Sequence, residues 1–189
     1  MTFVMAPEYS RAARLDPMRR ILAALIMLFV VAVPTAAHAD TSEFTFDSFH
    51  ADYTLGRDAD GTSRLAVVET IVAHFPDFDQ NRGIVRAIPN DYDGVPLNTV
   101  VESVTDATGA PVPFEQNYTG DFVELALGTD AFVRGVQTYV ISYSQTNVVR
   151  YFSDTDDDEF YWDVNGTGWD QPFGEVSMAL HLDPALESA

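Results

Sequence analysis

The sequence predicts an all-β sandwich of antiparallel strands, because apolar residues recur at every second position along most of the chain. The clearest example is the run in which Phe49, Ala51, Tyr53 and Leu55 alternate with polar neighbours. No stretch after residue 39 keeps a helical period, and turn-forming residues separate about eight short apolar runs. A chain with these two features is expected to fold as packed sheets rather than around helices.

The strands follow from the same alternation. Phe44 and Phe46 are out of phase with Phe49, which predicts a β-bulge near Asp47 and Ser48. Residues 58–61 predict the turn of an opening hairpin. The expected strands cover residues 49–55, 65–75, 98–105, 113–118, 122–127, 135–144, 160–164 and 174–182. The connection 77–96 is expected to be irregular, with a helical turn around 81–85.

The last predicted strand, 174–182, has its apolar residues in a single phase. They are Val176, Met178, Leu180 and Leu182. Inward-facing residues of the other strands follow the same spacing, so we expect this row to face the core as well.

Residues 1–39 predict an N-terminal extension followed by a helical signal peptide. Arg19 and Arg20 precede an apolar run of 13 residues, 21–33. A small-residue cleavage site, Ala37-His38-Ala39, follows this run. That run is shorter than the ~20 residues a membrane span needs. We expect translation to start at Met18, cleavage after Ala39 and export of one domain, residues 40–189. An uncleaved anchor is the alternative.

The composition after residue 39 excludes several classes of function. Six arginines and no lysine stand against 27 acidic residues, a formal charge of −21. Such an acidic surface repels nucleic acid and anionic lipid, so no nucleic-acid partner is expected. The chain contains no cysteine, which excludes disulfides, thiolate metal sites and a cysteine nucleophile. We expect the core and the strand ladders to stabilise the domain.

The sequence carries no recognisable catalytic or metal-binding motif. His50, His74 and His181 are isolated within predicted strands, and no serine-nucleophile or phosphate-binding pattern occurs. Residues 77–81 and 154–159 are acidic, but neither has the glycine and glutamate spacing of a calcium loop. We therefore predict no enzyme, no cofactor and no dedicated metal site. Weak calcium binding in either acidic loop remains an open alternative.

Glu69 lies on the same face of its predicted strand as Leu65 and Ile71. An unpaired carboxylate in a core would cost several kcal/mol. We therefore predict that Arg82 or Arg86 pairs with Glu69 and fixes the following loop to this strand. The alternative is that the opposite face of the strand points inward.

Two further motifs are candidate structural features. The pattern from Gly135 to Tyr143, with Tyr139 at its centre, is typical of the tyrosine corner of immunoglobulin-like sandwiches, although Tyr139 as a plain core aromatic fits equally well. Residues 159–173 contain both tryptophans, Trp162 and Trp169, with Gly166, Gly168 and Pro172. We expect a strand at 160–164, a tight turn at 166–168 and a new strand after Pro172.

Together these motifs resemble the family called domain of unknown function 2207, predicted membrane proteins. The resemblance is carried by Phe46-Asp47-Ser48-Phe49, Ala51-Asp52-Tyr53, Glu69-Thr70-Ile71, Arg82-Gly83-Ile84-x-Arg86-x-Ile88-Pro89, the Tyr139 pattern and Trp162-x-Val164-x-Gly166-Thr167-Gly168-Trp169-x-x-Pro172. It implies a signal peptide, an extracytoplasmic β domain and then transmembrane helices. We expect this chain to be a truncated member, because residues 40–189 contain no membrane-spanning segment. We expect its sandwich to be incomplete, because the resemblance implies a β domain that continues for several more strands. The resemblance implies no known catalytic residues.

The sequence thus leads to two functional hypotheses. The first is a non-enzymatic extracytoplasmic module of an envelope protein, with a protein or envelope partner, attached to the membrane as in the family or secreted if this chain is complete. The alternative is a carbohydrate-binding or carbohydrate-processing domain that uses Trp162, Trp169 and nearby acids. Exposed indoles that line a groove would favour the second hypothesis, and buried indoles would favour the first.

Overall fold

The computed structural model describes residues 43–186, so the predicted leader and its cleavage site lie outside the described residues. The strands are β1 (Thr45–Arg57), β2 (Ser63–Phe75), β3 (Gly83–Pro89), β4 (Asp91–Tyr92), β5 (Val95–Pro96), β6 (Val100–Thr105), β7 (Phe114–Thr119), β8 (Phe122–Gly128), β9 (Gly135–Thr146), β10 (Arg150–Phe152), β11 (Asp157–Glu159) and β12 (Phe173–Leu182). One 3-10 turn, Pro184–Leu186, follows. In this range no helix has the length and apolar character to cross a membrane.

Two sheets form the body of the domain. The large sheet has the strand order β12-β1-β2-β9-β6, and the small sheet has the order β3-β8-β7. Buried residues of both sheets form one hydrophobic core, so the predicted all-β sandwich is confirmed. The strands pair antiparallel except for β1 and β12, which run parallel. Two short hairpins, β4-β5 and β10-β11, lie outside these sheets.

The opening hairpin forms as the alternation predicts. The pairing register of β1 with β2 shifts between Phe46 and Ser48, which is the predicted bulge. The extra residue lets Phe46 and Phe49 both point inward although three positions separate them, and both are buried. The bulge therefore extends the core face of β1 to the start of the strand.

The core face of β2 is the one that carries Glu69. Leu65, Ile71 and Phe75 on this face are at most 1% exposed, whereas Val68 on the opposite face is 39% exposed. This excludes the alternative orientation. Glu69 itself is 0% exposed, so the strand brings a carboxylate into the middle of the sandwich.

The expectation of an irregular connection at 77–96 was wrong. Residues 83–89 form β3, which pairs with β8 at the edge of the small sheet. Ile84, Arg86 and Ile88 alternate inward along this strand. The middle inward residue is an arginine, so the apolar alternation of β3 is interrupted and the strand was not recognised.

The prediction of a strand at 160–164 was also wrong. Residues 160–172 form an irregular segment, here called the Trp–Gly segment, and its hydrogen-bonded turn runs from Asp163 to Gly166 rather than across 166–168. The carbonyls of Val164 and Asn165 accept hydrogen bonds from side chains. A strand does begin directly after Pro172, as predicted.

β12 forms one edge of the large sheet, and its apolar row is not buried as expected. In the parallel register Leu180 lies beside Tyr53 and Val176 beside Phe49 on the same face. Tyr53 and Phe49 are 0% exposed, whereas Val176, Met178, Leu180 and Leu182 are 41–51% exposed. The small sheet has three strands and the large sheet has five, so the small sheet is the narrower of the two. The described residues therefore leave the apolar row of this edge strand uncovered.

Candidate functional site

The buried polar centre of the sandwich is the ion pair between Glu69 on β2 and Arg86 on β3. Arg86 Nε lies 2.8 Å from Glu69 Oε2, and Arg86 Nη2 lies 2.7 Å from Glu69 Oε1. The Tyr143 hydroxyl, from β9, donates to Glu69 Oε1 at 2.9 Å. The pair therefore joins the two sheets through a two-pronged contact that arginine, and not lysine, can make.

Burial decides the electrostatics of this centre. Desolvation raises the pKa of the Tyr143 hydroxyl well above its ordinary value, and the negative charge of Glu69 raises it further. Desolvation alone would lower the pKa of Arg86, but the charge of Glu69 and its hydrogen bonds outweigh it and raise that pKa. Both oxygens of Glu69 are occupied and shielded from solvent, so this carboxylate has a structural role and no access to a substrate.

Arg86 also fixes the Trp–Gly segment. Its Nη1 donates to the carbonyl of Asn165 at 3.3 Å and to that of Ala87 at 2.8 Å. The Tyr53 hydroxyl donates to the Val164 carbonyl at 2.8 Å. Trp169 Nε1 donates to the same Asn165 carbonyl at 2.6 Å. Side chains of the core thus replace the ladder hydrogen bonds that the segment lacks.

The two tryptophans are half-buried and pack against the core cluster. The ring of Trp169 makes edge contacts with Phe46 and Phe173, and the Arg86 guanidinium lies 5.6 Å from its centroid. The ring of Trp162 stacks on Phe160 at 5.9 Å. These contacts favour packing over sugar stacking, because each indole already packs against aromatic side chains of the protein.

An open groove of about 780 Å³ borders the Trp–Gly segment and β3. Trp169 lines it together with five acids: Asp91, Asp93, Asp121, Glu124 and Asp163. The negative field of these carboxylates attracts cations into the groove.

Arg82, the second candidate partner of Glu69, lies elsewhere. Its side chain is exposed, its Nε donates to the Asp130 carbonyl at 2.9 Å, and its guanidinium lies 4.8 Å from the ring centroid of Phe132. It fixes the corner that precedes β9 rather than the core.

Tyr139 is a core aromatic without the hydrogen bond of a tyrosine corner. It is 4% exposed, and within residues 43–186 its hydroxyl has no hydrogen-bond partner. Burial raises the pKa of this hydroxyl to about 12. Of the two alternatives that the sequence left open, the structure favours packing.

Alkaline stability provides a test of that burial. The pKa of Tyr139 in the folded protein, about 12, exceeds the ~10 of an unfolded chain. The stability that the protonated Tyr139 hydroxyl contributes is therefore intact below pH ~10. It is lost as the pH rises toward the pKa of this hydroxyl in the folded protein. Replacing Tyr139 by phenylalanine is expected to make the fall in unfolding free energy between pH 10 and 12 shallower by up to ~1.4 kcal/mol per pH unit. Urea titrations at each pH measure this, and parallel curves would contradict it.

The histidines lie at the surface of the large sheet. Asp52 on β1 contacts two imidazoles: His50 Nε2 and His181 Nε2 each lie 3.4 Å from one of its oxygens. His50 Nδ1 lies 2.9 Å from the Ser177 hydroxyl. Among the described residues no group of three histidine, cysteine or acidic side chains is arranged to hold a metal ion.

The acidic loops are part of ordinary turns. Asp79, in the first loop, pairs with Arg134. Asp156, in the second, accepts a hydrogen bond from the Tyr151 hydroxyl at 2.8 Å next to the β10-β11 hairpin. Protein groups thus already occupy one carboxylate in each loop.

The feature that sequence reasoning missed is the exposed apolar row of β12, here called the β12 face: Val176, Met178, Leu180 and Leu182. It lies on the edge strand of the large sheet. An exposed apolar row on a sheet edge is a candidate interaction surface, since edge strands offer unpaired backbone groups as well. The alternation of β12 was visible in the sequence, but its exposure depends on the width of the other sheet.

The sequence pattern of the family described as predicted membrane protein DUF2207, N-terminal domain, matches residues 45–188. The chain belongs to this family. The match includes the Glu69–Arg86 pair, the Trp–Gly segment and β12, so all the strands of the described sandwich lie within the part that matches the DUF2207 N-terminal domain. Among curated proteins, none matches this DUF2207 chain.

Solved structures offer distant similarities to the DUF2207 domain. An M1 zinc metallopeptidase from Deinococcus radiodurans is 15% identical with a TM-score of 0.36, over 57% of this chain and 21% of that chain. Native leukotriene A4 hydrolase from Saccharomyces cerevisiae is 14% identical with a TM-score of 0.34, over 53% of this chain and 15% of that chain. This chain therefore spans a small part of those enzymes, and similarity at this level says nothing about its activity.

Proposed function

We propose that the DUF2207 domain is a non-catalytic extracytoplasmic module of an envelope protein, and that it binds another protein through the β12 face. The observation that carries the proposal is the exposure of 41–51% at four apolar side chains in one row on an edge strand. Soluble monomers rarely keep such rows uncovered. The predicted leader and the family's description as predicted membrane protein support an envelope location.

The buried polar groups support a structural rather than a chemical role for the interior. Glu69 is the acid at the centre of the sandwich, and Arg86 and Tyr143 occupy its oxygens. The interior thus holds the two sheets and the Trp–Gly segment together, while the surface carries the contacts with a partner.

Site-specific photo-crosslinking tests the proposal. A benzophenone amino acid at Met178, in the chain produced by the cell that encodes it, is expected to cross-link to an extracytoplasmic protein, because Met178 lies in the middle of the β12 face. The control carries the same group at Ala107, an exposed position in the turn after β6. Mass spectrometry of the cross-linked band identifies the partner. Equal yields at the two positions, or no protein cross-link at Met178, would overturn the proposal.

A further inference from the structure

We propose that the partner of the β12 face is a second copy of this chain, and that the two copies associate by antiparallel pairing of their β12 strands centred on Met178. The inference rests on the proposed function, because it names the protein that the β12 face binds. Three features of β12 support it: its unpaired edge, its apolar face and its charges.

The outer edge of β12 pairs with no strand in the part of the chain that the structure describes, because β12 ends the strand order of the large sheet. Along the ten residues Phe173–Leu182, the backbone N–H and C=O groups of every second residue point to this outer side, and those of the others point to β1. The strand contains no proline, lysine or arginine, which are residues that commonly protect an edge from pairing.

The apolar face restricts the register. With Met178 opposite Met178 of the second copy, Val176 lies opposite Leu180, so the two apolar rows join on one face of a continuous sheet. A shift of one residue would place the apolar row of one copy on the polar face of the other, because side chains alternate with a period of two. Only registers that differ by an even number of residues keep the rows together.

Charge then selects among these registers. Centring on Met178 places Glu175 of each copy opposite His181 of the other. Centring on Ala179 instead would place Glu175 opposite Asp183 of the second copy, a repulsive pair. His181 already lies 3.4 Å from Asp52, so the Met178 register surrounds the imidazole with two carboxylates. The chain is therefore self-complementary in this register.

Long-range charge limits the affinity. Each copy carries a formal charge of −21 in residues 40–189, so two copies repel each other. Added salt screens this repulsion. One strand pair is also a small interface, so we expect a dissociation constant of about 10–100 µM that falls as salt is added.

Sedimentation equilibrium of the purified chain tests the association. We expect the mass to rise from one to two chains over about 1–300 µM protein, bracketing the expected constant. Met178→Lys is expected to keep the mass at one chain, because it places two ammonium groups opposite each other. Val85→Lys, at an exposed position on β3, is the matched control and should leave association intact. Circular dichroism verifies that both variants fold.

Charge variants test the register. Glu175→Lys is expected to weaken dimerisation by about three- to tenfold, because it places a lysine opposite His181. His181→Lys places a lysine opposite Glu175 and is expected to strengthen it. Both changes lower the total negative charge, so a purely long-range effect would make both variants associate more tightly.

Disulfide formation tests the register directly, because the chain contains no cysteine. Met178→Cys is expected to form a disulfide-linked dimer under mild oxidation much faster than Ala179→Cys, since Ala179 would face Ser177 of the second copy. Equal rates in these two variants would overturn the Met178 register.

The outcomes separate this inference from the proposed function. A mass of one chain throughout the concentration range overturns the homodimer. If Met178 nevertheless cross-links to a different extracytoplasmic protein, the proposed function stands without the homodimer. A monomer that gives no cross-link at Met178 overturns both.

Discussion

Replacing Arg86 by methionine is expected to lower the free energy of unfolding by about 3–5 kcal/mol. The substitution leaves Glu69, at 0% exposed, as a buried carboxylate whose remaining partner is the Tyr143 hydroxyl. It also removes the donor to the Asn165 carbonyl, so the Trp–Gly segment loses one of its attachments. Urea unfolding followed by circular dichroism measures the change. If the domain has the stability usual for its size, the Arg86→Met variant remains folded in water, so the measurement is possible.

Arg82→Met is the matched control for this prediction. It removes the same group from an exposed position and is expected to change stability by less than about 1 kcal/mol. The double variant Glu69→Leu/Arg86→Met is expected to be more stable than Arg86→Met alone, because it contains no unpaired buried charge. If the two arginine variants lose the same stability, the buried pair is not what joins the sheets.

Gly83→Ala is expected to destabilise the domain by about 3 kcal/mol or more. Gly83 and Gly128 face each other in the β3-β8 ladder, with φ of 138° and 137°. A Cβ at Gly83 would overlap the backbone carbonyl of Leu127, and a Cβ at Gly128 would overlap that of Arg82. Backbone atoms within a ladder cannot rotate away as a flexible side chain can, so the end of the small sheet would have to open.

Gly61→Ala isolates the effect of this overlap. Gly61 also has a positive φ, 92°, but a Cβ there would meet no atom within 4 Å. Its substitution is expected to destabilise the domain by about 1 kcal/mol, from backbone strain alone. Thermal unfolding of the two variants gives the comparison, and hydrogen exchange should increase in β3 and β8 for Gly83→Ala only. Equal losses would show that strain, not close approach, explains both positions.

Glu69 illustrates how much of the buried ion pair could be predicted from the sequence. Its position on an apolar face required a buried partner, and only a few arginines were near in sequence. The choice between Arg82 and Arg86 could not be made from the sequence, because it depends on which residues of 82–89 face inward. The strand β3 settles this, since Ile84, Arg86 and Ile88 share one face.

The Trp–Gly segment shows where local reasoning failed. Its aromatic residues fit a strand, yet it is an irregular segment held by hydrogen bonds from Tyr53, Arg86 and Trp169. Those side chains are distant in sequence from the carbonyls they bind, except Trp169. Such contacts outweigh the local preference for strand and leave no signal in the segment itself.

By itself the sequence determined the class of fold, the bulge and hairpin that open it and the carboxylate that needed a partner, because alternation and charge are local properties of a strand. The tertiary structure decided which arginine pairs with Glu69, how the Trp–Gly segment runs and which apolar rows are covered. Tyr53 and Leu180 lie side by side on one face, yet one is 0% and the other 42% exposed. The physical reason is that burial depends on the extent of the opposing sheet, and no residue of β12 encodes that extent.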